Sequence, residues 1–364
     1  MSASPETTST PPPMMDDAPI ELKQAGSTVG VNAAQERVLP KFEYEDLLDS
    51  SSFGDWRDDL KRDGYCVVNV MTPEKAQQYK NRAFDWLESF QRGFDRNDPS
   101  TYSQEHLPLH VRGGMYSGNG YGFGQTQWVW DIRCEESIRQ TFAKIWGTDE
   151  LVVSFDGGSL MMPGVPPPVE DSSWQHIDQS PHRRKFFCVQ GIMNLNENGP
   201  RDGGLQVMKG SSRLMDHFFD VHGRPPVNFD RLDFHPFSNE DKQWFIDQGC
   251  EWIKVDAKAG DLILWDSACM HQNEPPQGDR ARMVTYVCMA PAKCLTDEDK
   301  SRRKFAFDNL MGSTHAPIQG FYTMPMQTLF QRIPKFAQDP EYVIPREPRQ
   351  TNDKVLRLAG LKDY

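Results

Sequence analysis

Residues 260–271 read Gly-Asp-Leu-Ile-Leu-Trp-Asp-Ser-Ala-Cys-Met-His, and the tripeptide His176-Ile177-Asp178 ends 93 residues before His271. In the longer stretch a glycine–aspartate turn leads into an apolar run, which predicts a strand followed closely by a histidine. Side chains two residues apart point the same way in a strand, so the tripeptide presents an imidazole and a carboxylate to one point. A neighbouring strand that brings His271 to the same point completes a triangle.

Two imidazoles and one carboxylate are the ligand set that holds Fe(II) on one face and leaves the opposite positions open. A structural zinc site is the weaker interpretation, because it needs four protein ligands, usually with thiolates. The nearest cysteine is Cys269, and no second thiol accompanies it. An H-x-D step also occurs by chance, so the prediction depends on the surrounding sequence. We predict that His176, Asp178 and His271 are the metal ligands of an iron centre where catalysis takes place.

After Leu151 the chain changes to short β-type runs separated by Gly, Pro and Asn. Most of these runs follow one another without a helix between them, which is typical of an antiparallel sandwich or barrel. Two amphipathic helices precede them, one after Thr72 and one from about Glu135 to Trp146. We predict a mainly β fold with flanking helices and a double-stranded β-helix core of the jelly-roll, cupin-like type. The predicted strands are Leu151–Phe155, Lys185–Leu195, Leu205–Met208, Trp252–Val255, Asp261–Trp265 and Met283–Met289.

The composition also predicts how the chain is divided. Residues 1 to about 40 are rich in Ser, Thr, Pro and Ala and hold few large apolar side chains. Such a segment cannot bury enough surface to offset its ordering entropy, so we expect residues 1–40 to be disordered. We expect residues 41–364 to form a single domain with an insertion near 214–248 and a C-terminal extension from about 291.

The net charge and the lengths of the apolar runs argue against several classes of partner. A formal net charge of −12 over 364 residues argues against nucleic acid and anionic membranes. No run approaches the roughly 18 apolar residues of a membrane span. The seven cysteines are odd in number and include no C-x-x-C pair, which favours a reducing cytoplasm over a disulfide framework. We expect a cytoplasmic protein that acts on a small-molecule substrate, and a homodimer stays open.

The order of these features resembles the phytanoyl-CoA dioxygenase-like family of Fe(II)/2-oxoglutarate-dependent oxygenases, over roughly residues 54–292. Besides the three ligands and Arg282, the resemblance depends on Asn196-Glu-Asn-Gly-Pro200, Gly203-Gly-Leu-Gln-Val-Met-Lys-Gly-Ser-Ser-Arg213 and Gly260-Asp-Leu-Ile-Leu-Trp265. The usual family stretch reads E-N-G-x-L-x-x-x-x-G-S-H. Here five residues separate Gly199 from Leu205, and Ser212 stands where histidine is usual. We therefore do not carry over the acyl-CoA substrate of the founding member.

The resemblance implies Fe(II), 2-oxoglutarate as co-substrate, and O2. It implies hydroxylation, desaturation or ring closure at an unactivated C–H bond of a small molecule, for example a specialised metabolite or an amino-acid derivative. In the family, an arginine on the strand after the second histidine binds the far carboxylate of 2-oxoglutarate. Arg282 matches that arginine by position, and Arg280 is its close competitor. Asn273, Gln190 and Gln127 are further candidates for binding the co-substrate.

An aspartate at position 178 argues against halogenation, because related halogenases carry a small residue there to admit chloride. Two alternatives stay open. A jelly-roll metalloprotein with 2-oxoglutarate-independent activity would have its arginine turned away from the iron. A non-catalytic binding module would have a blocked or metal-free triangle.

Overall fold

The computed structural model describes residues 52–116, 120–166, 174–184, 186–227, 234–323, 337–342 and 344–364. All of these lie within the compact unit Leu39–Tyr364. The expected disordered segment at 1–40 falls outside the described residues.

The described strands form two antiparallel sheets. The larger sheet contains β1 (Tyr65–Asn69), β2 (Met115–Tyr116), β3 (Leu151–Val153), β4 (Gly158–Met161), β6 (Val189–Asn194), β10 (Asp261–Asp266) and β12 (Arg282–Pro291). Its order is β1-β10-β6-β12-β4-β2, and β3 pairs with β12. The smaller sheet contains β5 (His176–Ile177), β7 (Gly204–Lys209), β8 (His235–Pro236), β9 (Glu251–Lys254) and β11 (His271–Glu274). Its order is β8-β5-β11-β7-β9. This architecture confirms the predicted jelly-roll core with flanking helices.

The register of the smaller sheet brings the two histidines together. His271 at the start of β11 faces His176 of β5 on one side and Val207 of β7 on the other. Residues that face each other across an antiparallel pair have Cβ atoms about 5 Å apart. The sheet therefore places both imidazoles side by side before any metal is considered.

The described α-helices lie before β3, in the stretch between β7 and β9, and after β12. They are α1 (Trp56–Asp63), α2 (Pro73–Glu88), α3 (Gln127–Arg133), α4 (Glu136–Trp146), α5 (Met215–His222), α6 (Asn239–Asp247), α7 (Asp297–Asp308) and α8 (Asp353–Leu358). Short 3-10 helices occur at Pro99–Thr101, Gly120–Gln125, Ser211–Leu214 and Ala292–Cys294. None of these helices combines the length and apolar composition that crossing a bilayer requires.

The start of α2 and the end of α4 lie where the capping residues in the sequence predict them. The Thr72 side chain accepts a hydrogen bond from the Lys75 N–H at the start of α2, and Pro73 occupies its first position. Gly147 ends α4 in the left-handed conformation, with φ of 62°. Both helices bury their apolar faces in the main core, which includes the fully buried Trp86 and Trp146.

A second apolar cluster includes residues of both sheets, among them Ile192 and Ile263 of the larger sheet and Leu205 and Val207 of the smaller one. This cluster joins the sheets and forms one side of the cavity described below. The predicted insertion near 214–248 corresponds to α5, β8 and α6, between β7 and β9. The predicted extension from about 291 begins where β12 ends. The single-domain boundaries stay a prediction.

The region after β12 is tied to the sheets by a buried arginine. The Arg303 guanidinium on α7 donates to the carbonyls of Val153, Pro317, Leu358 and Ala359 at 2.7–3.0 Å. A buried guanidinium needs all of these acceptors, because its unsatisfied N–H groups would be costly. The arginine thereby fixes the chain around residue 317, close to the cavity.

Candidate metal centre and co-substrate cavity

The three predicted ligands come together in one buried group. Ligand atoms of His176, Asp178 and His271 all lie within 4.8 Å of one another. The His176 Nε2 and His271 Nε2 atoms are each 3.2 Å from a different oxygen of Asp178. Two imidazole nitrogens and a carboxylate oxygen from one side are a donor set that suits Fe(II). The residues present therefore fit the metal that the sequence predicts.

Hydrogen bonds on the far side of each ring orient the two imidazoles. The His176 Nδ1 lies 2.9 Å from the Trp174 carbonyl, and the His271 Nδ1 lies 2.9 Å from the Cys269 carbonyl. Because a carbonyl oxygen can only accept, Nδ1 carries the proton in both rings. The Nε2 lone pairs are then left for a metal ion, which is the usual arrangement for histidine ligands.

The carboxylate of Asp178 is oriented by neighbours outside the triangle. Gln190 of β6 donates from Nε2 to Asp178 Oδ2 at 2.9 Å. The His315 Nε2 lies 3.0 Å from the Asp178 carbonyl, and the Asp178 N–H donates to the Ser267 carbonyl. Burial by itself would raise the pKa of Asp178, but the nearby His315 and His176 outweigh it and hold that pKa well below its ordinary value.

Burial also lowers the pKa of His176, against the opposing effect of Asp178. The neutral imidazole and the ionised carboxylate are the forms that bind a metal. The electrostatics of the triangle therefore match the requirements of its geometry.

The triangle opens into a cavity of about 290 Å³. Arg282, the first residue of β12, lines this cavity and is 2% exposed. Its Nε and Nη1 atoms have no hydrogen-bond partner among the described residues. Burial lowers the pKa of Arg282, which the neighbouring Tyr286 partly offsets. Asn273 of β11 and Gln190 line the same cavity.

The other two candidates for co-substrate binding lie elsewhere. Arg280 precedes β12 and does not share a strand face with Arg282. Its Nη1 is 3.3 Å from carboxylate oxygens of both Glu197 and Asp202. Gln127 is the first residue of α3, where it donates to Asp131 and accepts from the Gln350 N–H. Their own partners hold both side chains away from the cavity, so the structure corrects the prediction that they line it.

Several cavity residues are not singled out by the sequence, Trp174, Asp156 and His315 among them. Trp174 stacks on His176 with ring centroids 4.6 Å apart, and its spacing of two residues from that ligand is a signal that could have identified it. Asp156 and His315 line the cavity from loops 20 residues before His176 and 44 residues after His271. No periodic pattern surrounds either of them, so neither could have been found in this way.

Comparisons with known proteins agree with this site. A family model described as "Phytanoyl-CoA dioxygenase (PhyH)" matches residues 60–284. "Ava biosynthesis cluster protein O" of Aspergillus versicolor is 37% identical over 290 residues, which cover 78% of this chain and 91% of that protein. A "Putative phytanoyl-CoA dioxygenase" of Dictyostelium discoideum is 21% identical over 285 residues, covering 67% of this chain and 77% of that protein. The chain belongs to the phytanoyl-CoA dioxygenase family.

The fold has a counterpart among solved structures. The structure of the "Putative Oxidoreductase from Salmonella typhimurium LT2" superposes with a TM-score of 0.54 and 14% identity, covering 84% of this chain and 82% of the other. At that identity the likeness concerns the fold alone. Family membership makes the protein a relative of non-haem iron oxygenases, which agrees with the His-Asp-His triangle.

Proposed function

We propose that this protein is an Fe(II)- and 2-oxoglutarate-dependent oxygenase that oxidises an unactivated C–H bond of a small molecule. The product is a hydroxylated, desaturated or ring-closed form of that molecule. The observation that carries the proposal is that the buried Arg282 and the triangle line one cavity. A buried guanidinium with two unsatisfied nitrogen atoms is costly unless an anion binds there. A dicarboxylate with one end at the metal would supply that anion.

Each side chain has a defined task in this proposal. His176, Asp178 and His271 would hold the metal. Arg282 binds the far carboxylate of 2-oxoglutarate through two parallel hydrogen bonds, which its planar fork allows. When bound, Fe(II) supplies the activation of O2 that is coupled to decarboxylation of the 2-oxo acid.

The remaining polar side chains of the cavity position these groups. Gln190 keeps one Asp178 oxygen in a fixed direction through its hydrogen bond. Asn273 is placed to donate to the co-substrate. The apolar side chains of Ile192, Leu205 and Trp265 line the same space and reduce the access of bulk water to it.

The relative from Aspergillus versicolor is named as a protein of a biosynthesis cluster. Because this chain is 37% identical to that relative over 290 residues, the name supports a role for this chain too in the biosynthesis of a small molecule. The cavity volume of about 290 Å³ is at the small end of the range usual for small-ligand pockets.

The first test is an anaerobic titration of the protein with Fe(II) and 2-oxoglutarate. We expect a weak charge-transfer absorption band at about 500 nm, which reports 2-oxoglutarate bound to iron through two oxygens. His271→Ala should abolish the band, because it removes one of three protein ligands. His222→Ala is the matched control, since His222 is an exposed residue on α5 whose Nδ1 bonds to the Phe218 carbonyl, outside the cavity.

The alternatives predict different results. Fe(II) binding without the band would favour a metalloprotein that works without 2-oxoglutarate. Failure to bind Fe(II) would favour a non-catalytic role. Either result would contradict the proposal.

A further inference from the structure

The cavity contains a second carboxyl group that the proposed function does not use. Asp156 lies in the connection between β3 and β4 and lines the same cavity as the metal ligands. It lines this cavity together with His315 and Asp178 and is not one of the three grouped ligands. An ionisable group in such a position requires an explanation of its own.

The backbone that carries Asp156 is fixed from several sides. The fully buried Arg133 donates to the carbonyls of Asp156 and Gly124 at 2.5 Å and 2.6 Å. The Phe155 N–H donates to Ser313 Oγ at 2.9 Å. The fold therefore holds this loop in one conformation, which is how a binding group is pre-organised.

The carboxyl itself has little to bind within the described structure. It accepts one hydrogen bond, from the Gly157 N–H at 2.7 Å. The adjacent Arg133 is bonded to the Asp156 carbonyl and not to its carboxylate. Burial raises the pKa of Asp156 to about 6. A carboxylate has about four acceptor sites, so most of its capacity is left for a molecule in the cavity.

The walls near the metal are aromatic. Trp174 and Phe234 both stack on His176, with centroid distances of 4.6 Å and 4.8 Å. The Arg112 guanidinium lies 3.6 Å from the Trp174 ring centroid, so its positive charge already faces an aromatic ring. An apolar or aromatic body fits this end of the cavity, with Asp156 as the group that selects charge.

We propose that Asp156 is the carboxylate that recognises the substrate, and that the substrate carries a protonated basic nitrogen on an apolar or aromatic body. This proposal rests on the proposed function only in placing the substrate in the same cavity. A charge-assisted hydrogen bond to a cation compensates the carboxylate for its burial. The net charge of −12 also favours the approach of cations over anions.

The test compares two ligands with the same body, 2-(2-naphthyl)ethylamine and 2-(2-naphthyl)ethanol. Their binding to the full-length protein is measured by calorimetry near pH 7.5 with a chelator present, so neither iron nor 2-oxoglutarate contributes. We expect the amine to bind about 10- to 100-fold more tightly than the alcohol. In Asp156→Asn the two ligands should bind within about twofold of each other, because the ring contacts persist while the charge is lost.

Two control variants separate the site from other carboxylates. Asp178→Asn removes the other cavity carboxylate and should keep the preference for the amine. Glu136→Gln makes the same change of net charge on the exposed surface of α4 and should also keep it. Thermal melting confirms that each variant is folded.

Several results would overturn the proposal. Equal binding of amine and alcohol by the wild type would do so, as would no detectable amine binding at about 10 mM, where even a millimolar ligand saturates the protein. A preference that persists in Asp156→Asn would place the ammonium group at another carboxylate, Asp178 included. Failure of the absorption test for Fe(II) and 2-oxoglutarate would leave this binding result unchanged, so the two proposals can fail separately.

Discussion

Arg280 and Arg282 are two residues apart and have opposite surroundings. Arg280 is half-exposed and pairs with two carboxylates, whereas Arg282 is buried in the cavity with nitrogen atoms left over. The difference arises because β12 begins at Arg282, so the alternation of strand faces does not extend back to Arg280. The Arg280 side chain is 45% exposed, so solvent screens its ion pairs and they contribute little.

These surroundings predict unequal effects of mutation. Arg282→Ala should weaken 2-oxoglutarate binding by about 2–5 kcal/mol, because it leaves a buried carboxylate without its partner. Metal binding should stay unchanged. Arg280→Ala is the matched control and should alter co-substrate affinity less than about threefold. The measurement is a titration of the charge-transfer band, and full co-substrate affinity in the Arg282 variant would show that the assignment is wrong.

The raised pKa of Asp156 predicts how stability depends on pH. The pKa is about 6 in the folded protein against an ordinary value of 3.8. A carboxyl with a raised folded pKa favours folding while it is protonated, and that contribution is lost as the pH rises through the folded pKa. Asp156→Asn cannot ionise, so it should be more stable than the wild type by about 1–3 kcal/mol near pH 8 and by less near pH 5.

Urea unfolding of the metal-free protein at about three pH values between 5 and 8 measures this difference. Asp202→Asn is a comparison at a buried carboxylate outside the cavity, which accepts a hydrogen bond from the Gly199 N–H, and the change should destabilise the protein. If the gain in unfolding free energy of Asp156→Asn over the wild type is the same at all pH values, or larger at low pH, the expected direction is wrong.

Single cavity residues could be predicted from the sequence where they belong to a motif, and could not be predicted where they do not. His176 lies on β5 and Asp178 directly follows it, two residues on, so their common direction could be inferred. His315 and Asp156 reach the cavity through loops whose paths depend on buried contacts far along the chain, such as the bond between Phe155 N–H and Ser313 Oγ. Gln127 was misplaced because a helix start directs its side chain to Asp131, four residues on.

Among the elements, β5, β11 and β7 determine the geometry of the metal centre. His271 faces His176 only while this register is kept, and a slip of one residue would turn His271 to the opposite face. Gly203 lies just before β7, with φ of 68°, and a Cβ there would meet the Glu274 carbonyl oxygen and the Pro276 nitrogen at 2.5 Å. The close approach of β7 to the end of β11 thus requires glycine.

Gly203→Ala should therefore destabilise the protein and weaken metal binding together. The left-handed conformation costs about 1–2 kcal/mol for alanine, and the backbone collision adds to it. Gly54→Ala is the control for conformation alone, because Gly54 has φ of 70° and a Cβ added there would meet no described atom within 4 Å. Unfolding and Mn(II) titration measure both effects, and equal losses in the two variants would show that the contact is unimportant.

Elements with a local signal were predictable, and elements formed only by distant pairing were not. The cap at Thr72 and the glycine at 147 mark α2 and α4, and apolar runs mark β6, β10 and β12. β2, β5 and β8 are two residues long and have no pattern of their own, since they exist through hydrogen bonds to remote partners. The H-x-D motif revealed β5 through its chemistry.

For the molecule as a whole, the metal would connect strands that are far apart in the chain. A ligand that binds only the folded state at about 100 times its Kd adds about 2.7 kcal/mol of stability. For a chain of this size that corresponds to roughly 3–5 °C in Tm. Mn(II) should therefore raise the Tm of the wild type and of His222→Ala by this amount, and should leave His271→Ala almost unchanged. Equal shifts in all three, measured by scanning fluorimetry, would place the ion elsewhere.

Ser313 and Thr314 form part of the cavity wall, although they lie more than 40 residues after the last metal ligand, His271. Part of the cavity wall thus comes from a stretch of polypeptide that holds none of the three predicted metal ligands. Substitutions at Ser313 and Thr314 can therefore change which molecules are admitted without altering the three ligands or His315, which contacts the Asp178 carbonyl. Selection can then diversify products without having to reinvent the chemistry.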